Sequence, residues 1–190
     1  MKKIVLTFSF FVTIFYLHAQ HVGVKTNLAH WAAGATPNVG VEFSLGRKYT
    51  LELGGGYNWF AFSGDNKRLK HLVVQPELRY WFCERFNGHF VGLHAIGMEY
   101  NAGGINVPVG RLKKLKDHRY EGYAGGAGIS YGYQWPIASR WNFEMNIGAG
   151  YAYLKYDKYP CVKCGEKIES GHKNYVGVTK AAVSLIYLIK

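Results

Sequence analysis

Cys161 and Cys164, in "YPCVKCGEK", are the most chemically suggestive pair in this 190-residue chain. Two cysteines at this spacing supply half of a zinc site, and His172, eight residues on, offers a third ligand. The same spacing serves as a redox couple when one thiol is acidified. In an exported chain it closes a short disulfide that pins a loop. A loop disulfide is the expectation, with a weak metal site as the alternative and no cofactor required. Cys83 is expected far from both, beyond disulfide reach. His30, His89, His94 and Ser130 are the other candidates for nucleophilic or acid–base work. Such work needs a nucleophile beside its base, and no spacing pairs these residues, so no catalytic residue is assigned. The clusters "LGGGY" and "YAGGAGISYG" lack the G-x-G-x-x-G spacing and run on without a helical period, which excludes a nucleotide loop.

A second set of charged residues is spaced differently. In "WNFEMNIGAGYAYLKY" (141–156), Trp141, Phe143, Met145, Ile147, Tyr151 and Tyr153 alternate with Asn142, Glu144, Asn146, Gly148 and Gly150. That is the two-residue period of a strand with one greasy and one small or polar face. The same period places Lys25, Glu42, Glu52, Glu77, Arg79, Glu144 and Lys180 on polar faces. Four carboxylates and three cations sharing a tight space are tolerated when paired and hydrogen-bonded. They are expected to form an ion network filling the interior, with a proton or ion path as the functional alternative.

Eight such stretches follow one another, at about 21–32, 38–46, 50–62, 70–82, 89–101, 120–134, 141–155 and 174–189. The fifth is ambiguous between faces and suggests a bulge. None has a helical period. Composition agrees: aromatics are 16%, Gly 24 and Pro 5, while charged residues are only 18%, below the ~25% of soluble domains. Short links (Gly46–Tyr49, Cys83–Gly88, Pro136–Arg140) alternate with longer polar ones at 63–69, 102–119 and 156–173. The fold expected is all-β: a closed eight-stranded antiparallel up-and-down barrel.

Size decides which face is inside. Eight strands leave a lumen just wide enough for side chains. Trp, Phe, Tyr, Leu and Met would crowd it; Gly, Ala, Ser, Asn and a few charges would fit. The greasy face therefore points outward, into lipid, as a transmembrane β-barrel. Tyr57, Trp59, Tyr80, Trp81, Tyr133, Trp135, Trp141 and Tyr153 near strand ends suit interfacial girdles. The first 19 residues, "MKK" followed by the uncharged run Ile4–Leu17 and "HA", read as a cleaved signal peptide. The barrel domain is then 20–190, and the address is the cell outer membrane.

The longer links are basic. Lys67 and Arg68 flank one, Arg111, Lys113, Lys114 and Lys116 crowd the next, and Lys163 and Lys167 populate the last. Despite the formal charge of +11, nucleic acid is not the partner expected at a cell surface. Lipopolysaccharide phosphates suit these cations, and other outer-membrane proteins are further candidate partners.

Four runs carry a family resemblance. They are "KTNLAHWAAGATPNVGVEFSLGRKYTLELGGGYNW" (25–59), "VQPELRYWFCERFNGHFVGLHA" (74–95), "KDHRYEGYAGGAGISYGYQW" (116–135) and "YDKYPCVKCGEK" (156–167). Together they resemble a domain-of-unknown-function family of small outer-membrane β-barrel proteins of Bacteroidota. The resemblance implies an outer-membrane address and an eight-stranded barrel, and carries over no catalytic residue. The expected role is structural, accessory or surface-interacting. An outer-membrane lipid-modifying enzyme and a soluble secreted ligand-binding barrel are the alternatives.

Overall fold

The computed structural model describes residues 22–59, 68–103, 119–160 and 166–189. Eight strands and one short helix make up the described chain: β1 Val22–Asn27, α1 Leu28–Gly34, β2 Asn38–Ser44, β3 Tyr49–Asn58, β4 Arg68–Trp81, β5 Gly88–Gly103, β6 Arg119–Pro136, β7 Trp141–Tyr159 and β8 Glu169–Ile189. Each strand pairs antiparallel with the next, and β1 pairs with β8, which closes an up-and-down ring. Closure leaves the paired part of the sheet without an edge.

Alternation sorts the side chains. Leu53, Leu78, Leu93, Ile129 and Ile147 point outward and are exposed, Ile129 at 71%. Glu42, Glu77, Arg79, Gln134, Asn142 and Glu144 point inward and are buried. Glycine lines much of the inner face of β6 and β7, and two positions require it. A Cβ on Gly126 would lie 2.3 Å from the Tyr151 carbonyl oxygen, and one on Gly128 would lie 2.4 Å from that of Ala149. The two backbones therefore approach more closely than any side chain allows.

The first strand is shorter than its period suggests. It stops at Asn27, not residue 32, and α1 follows, contrary to the expectation that no segment is helical. Asn27 accepts a hydrogen bond from the Ala29 amide at 3.0 Å, an N-cap. Leu28-Ala29-His30-Trp31-Ala32-Ala33 then continues with residues that tolerate a helix, until Ala35, at φ 47°, ends it. Asn27 also accepts from the Val183 amide (3.1 Å) and donates to the Ala181 carbonyl (3.2 Å). One side chain so replaces the backbone partners that β8 loses where β1 leaves the ladder.

The anticipated bulge lies in β8, not in the fifth strand. Gly148 pairs with Lys180 but Ala149 pairs with Val178, leaving Thr179 as the extra residue, whereas β5 stays in continuous register with β6. The last long link is also shorter than 156–173. Tyr156 and Asp157 pair with Gly171 and Ser170, and the Ser170 hydroxyl donates to Asp157 at 2.6 Å. Polar composition concealed this cross-strand pairing.

Trp81 does not join the outer aromatic set. It points inward and is fully buried, like its same-face neighbours Glu77 and Arg79. Its ring lies 4.8 Å from Phe90 and 6.2 Å from Phe86, and its indole N–H donates to the Thr50 hydroxyl at 2.9 Å. Together with Ile186 these rings pack the short-link end of the interior. The interior is thus not uniformly small and polar: one end is an apolar floor. Phe86 reaches it from a turn, at φ 61°, and its carbonyl accepts from the Asn142 side chain at 2.8 Å.

Candidate functional site

Above that floor lies a cluster of seven charged side chains from six strands: Lys25 on β1, Glu42 on β2, Glu52 on β3, Glu77 and Arg79 on β4, Glu144 on β7 and Lys180 on β8. The register creates the problem they solve. Glu42 pairs with Glu52, and Glu52 with Glu77, so three carboxylates stand abreast in one cross-strand row. Like charges directly opposite one another repel. Cations two positions away or across the ring must compensate.

Arg79 is the hub. Its Nη1 lies 2.9 Å from Glu42 and 2.8 Å from Glu144, and its Nη2 donates to the second Glu144 oxygen at 2.9 Å. That gives a bidentate pair. Its Nε donates to Glu77 at 2.5 Å, and it also contacts Glu52. The guanidinium plane sits 4.3 Å from the centre of the Phe90 ring, which ties the ions to the apolar floor. Lys25 Nζ lies 2.8 Å from Glu42, 3.1 Å from Glu144 and 3.3 Å from Glu52. Lys180 Nζ lies 3.0 Å from Glu77 and 3.4 Å from Glu52. No side chain of the seven is more than 8% exposed.

Neutral donors complete the cluster. The Thr50 hydroxyl donates to Glu42 at 2.6 Å, the Ser130 hydroxyl donates to Glu77, and the Asn146 amide reaches Glu77 at 3.3 Å. His94, the next residue in the carboxylate row, is buried and bonds the Thr179 hydroxyl at 2.8 Å. Ser130 thus faces a carboxylate already held by Arg79 and Lys180, and the nearby His94 is engaged with the bulge residue. The carboxylates act as acceptors for fixed cations, an arrangement suited to holding six strands in register. Between the cluster and α1 a cavity of about 40 Å³ remains, lined by Lys25, Glu52, Lys180, His30 and Gln75 among others. It has room for a water or two.

The other candidates separate. Cys83 is exposed and unpaired in the β4–β5 link, at the opposite end of the ring from the β7–β8 connection. Cys161, Cys164, Lys67, Arg111, Lys113, Lys114, Lys116 and Lys163 lie outside the described residues. Arg68 opens β4. Lys167 is exposed, its ammonium 3.7 Å from Asp157. Among the described residues no cluster of His, Cys, Asp or Glu is placed to hold a metal. Sequence reasoning missed the roles of Trp81, Phe90, Thr50 and His94. For Trp81 the signal was present, because it shares parity with Arg79 on β4.

A family model described as Protein of unknown function (DUF3575) matches residues 4–189. No curated protein matches the sequence.

Proposed function

The chain belongs to the DUF3575 family of proteins of unknown function, and from that premise we propose that it is a small outer-membrane β-barrel with a plugged interior and a non-enzymatic role. That role is to stabilise the envelope, or to serve as an accessory or surface-interacting subunit in it. One observation carries this reading. Leu53, Leu78, Leu93, Ile129 and Ile147, on five successive strands, turn outward with 44–71% of their surface exposed, while the ions turn inward. Apolar surface this continuous is costly in water and expected in lipid. Closure of the ring supports the same reading, since hydrocarbon tolerates no open sheet edge.

The short β1 does not weaken it. Caps meet part of the backbone demand of this short helix, since Asn27 accepts from the Ala29 amide and the Ala35 and Thr36 amides donate to the Trp31 and His30 carbonyls, and α1 turns Leu28 and Trp31 outward, 43% and 47% exposed. Exposed Tyr57, Trp59, Trp135, Trp141 and Tyr153 suit interfacial positions. The packed interior argues for a plug and against a pore.

The test is gel mobility of detergent-extracted membranes with and without boiling, followed by conductance in planar bilayers. A faster-migrating unboiled form that conducts little is expected. Absence of a heat-modifiable form in the membrane fraction would remove the membrane reading, and a large stable conductance would remove the plug.

A further inference from the structure

The outer wall is not evenly convex. A trough of about 710 Å³ crosses it, within the size range of ligand sites. Arg79, Gly92, Ser130 and Gly148 form one cross-strand row along its base; the Arg79 and Ser130 side chains point inward, so backbone faces out along it. Leu78, Leu93 and Ile129 wall one side, and Tyr80, Val91 and Tyr131 wall the other. The trough begins at Tyr49 on β3 and ends at Ala149 and Val178, beside the β8 bulge. Five strand spacings make it about 24 Å long.

Its two ends differ chemically. The Val178 end is apolar. At the Tyr49 end the Lys48 ammonium stands 6.0 Å from the centre of the Tyr80 ring and donates to the Phe82 carbonyl at 3.3 Å. Lys48 is held there by its turn. The Trp81 amide donates to the Lys48 carbonyl at 2.8 Å, the Arg85 amide donates to the Arg47 carbonyl at 3.2 Å, and the Arg85 guanidinium donates to the Gly46 carbonyl at 3.1 Å. Lys48 is thus the cation at the mouth, and the Arg85 guanidinium is held against the same turn, with Glu84 the one acid in those two links. A long apolar trough with a cation at one mouth matches an amphiphile with one anionic head and a hydrocarbon tail.

We propose that this trough holds a glycerophospholipid with an anionic head group, its acyl chain between the two side-chain rows and its phosphate at Lys48. The proposal rests on the membrane reading above and deepens it by naming the lipid and its seat. Its mouth lies at the short-link end, opposite the basic long links, and the two ion-network residues along its base, Arg79 and Ser130, present only backbone to it.

The experiment uses the full chain folded in mixed micelles of phosphatidylglycerol and phosphatidylcholine in equal amounts. Adducts surviving transfer to the gas phase are read by native mass spectrometry. Wild type is expected to keep one phosphatidylglycerol in preference to phosphatidylcholine. Lys48→Ala lowers that preference about fivefold, the effect of one lysine at a charged surface. Ala149→Trp and, independently, Val178→Trp fill the far end and remove the adduct of either lipid. Both are read only in preparations with heat-modifiable mobility, which shows that the ring has formed. Equal retention of the two lipids by wild type, or adducts unchanged in both Trp variants, would overturn the proposal and leave the membrane reading standing. A wild type with no heat-modifiable form would instead overturn the membrane reading.

Discussion

Replacing Arg79 should damage the ring far more than replacing its bidentate partner Glu144, although both are fully buried. With His94 neutral, four carboxylates and three cations leave the interior one negative charge in excess. Arg79→Met raises that excess to two and removes the group that contacts all four carboxylates. Glu144→Gln lowers the excess to zero and keeps an acceptor in place. Removing one partner of a buried pair costs about 3–5 kcal/mol when the other is left uncompensated. Arg79→Met is expected at or above that range, since Phe90 also loses its stacked cation. Glu144→Gln exchanges charged hydrogen bonds for weaker ones, a loss of about 1–3 kcal/mol. The double variant should cost less than the sum of the singles, because the two groups share one interaction. The assay is urea-induced unfolding of protein refolded in detergent, followed by tryptophan fluorescence, with unboiled gel mobility as a check on closure. Glu144→Gln as costly as Arg79→Met, or strict additivity in the double variant, would refute the charge argument.

Other outcomes follow from the same geometry. Trp81→Ala opens the floor beneath the ions and should cost about 3–5 kcal/mol, read as a lower unfolding midpoint. Gly126→Ala places a methyl against the Tyr151 carbonyl and should cost at least about 1–3 kcal/mol in the same measurement; a neutral result would mean that β6 and β7 lie further apart than described. The Ser170 hydroxyl, and then the Lys167 charge, hold the exposed Asp157 carboxyl below its ordinary value of 3.8. A depressed carboxyl stabilises above its ordinary value and loses that contribution as pH falls through the folded one. Ser170→Ala should therefore move the Asp157 titration upward, as followed by its carboxyl carbon NMR signal, with no change above pH 5.

The sequence made the ring legible because alternation persists through each strand and lumen width then fixes the face. The seven interior ions followed from parity alone, and the structure brings all seven into one cluster. Parity failed where local chemistry overrode it. Asn27 caps a helix that a strand reading ran straight through, and Thr179 adds a residue that leaves the flanking pattern looking regular. Trp81 misleads by residue type: an aromatic near a strand end suggests a girdle, although its parity with Arg79 points inward. The β7–β8 extension was hidden because it is held by polar pairs such as Asp157 and Ser170, which look like a loop in sequence. His94 was visible only as a candidate, since its partner Thr179 depends on the bulge.

The brevity of β1 has a consequence for how the cylinder is assembled. Among the described residues six positions of β1 pair with β8, whereas every residue of β6 from Arg119 to Pro136 pairs with β7. Among the described residues, Ser184–Ile189 of β8 carry that junction, with Asn27 as its clasp at the helix end. Native breathing should concentrate there, and amide hydrogen exchange should be fastest at Val22–Asn27 and Ser184–Ile189. In assembly, the β6–β7 hairpin, with eighteen paired positions across a four-residue link, is expected to zip early, and the β1–β8 junction, between the strands farthest apart in sequence, to close the sheet last.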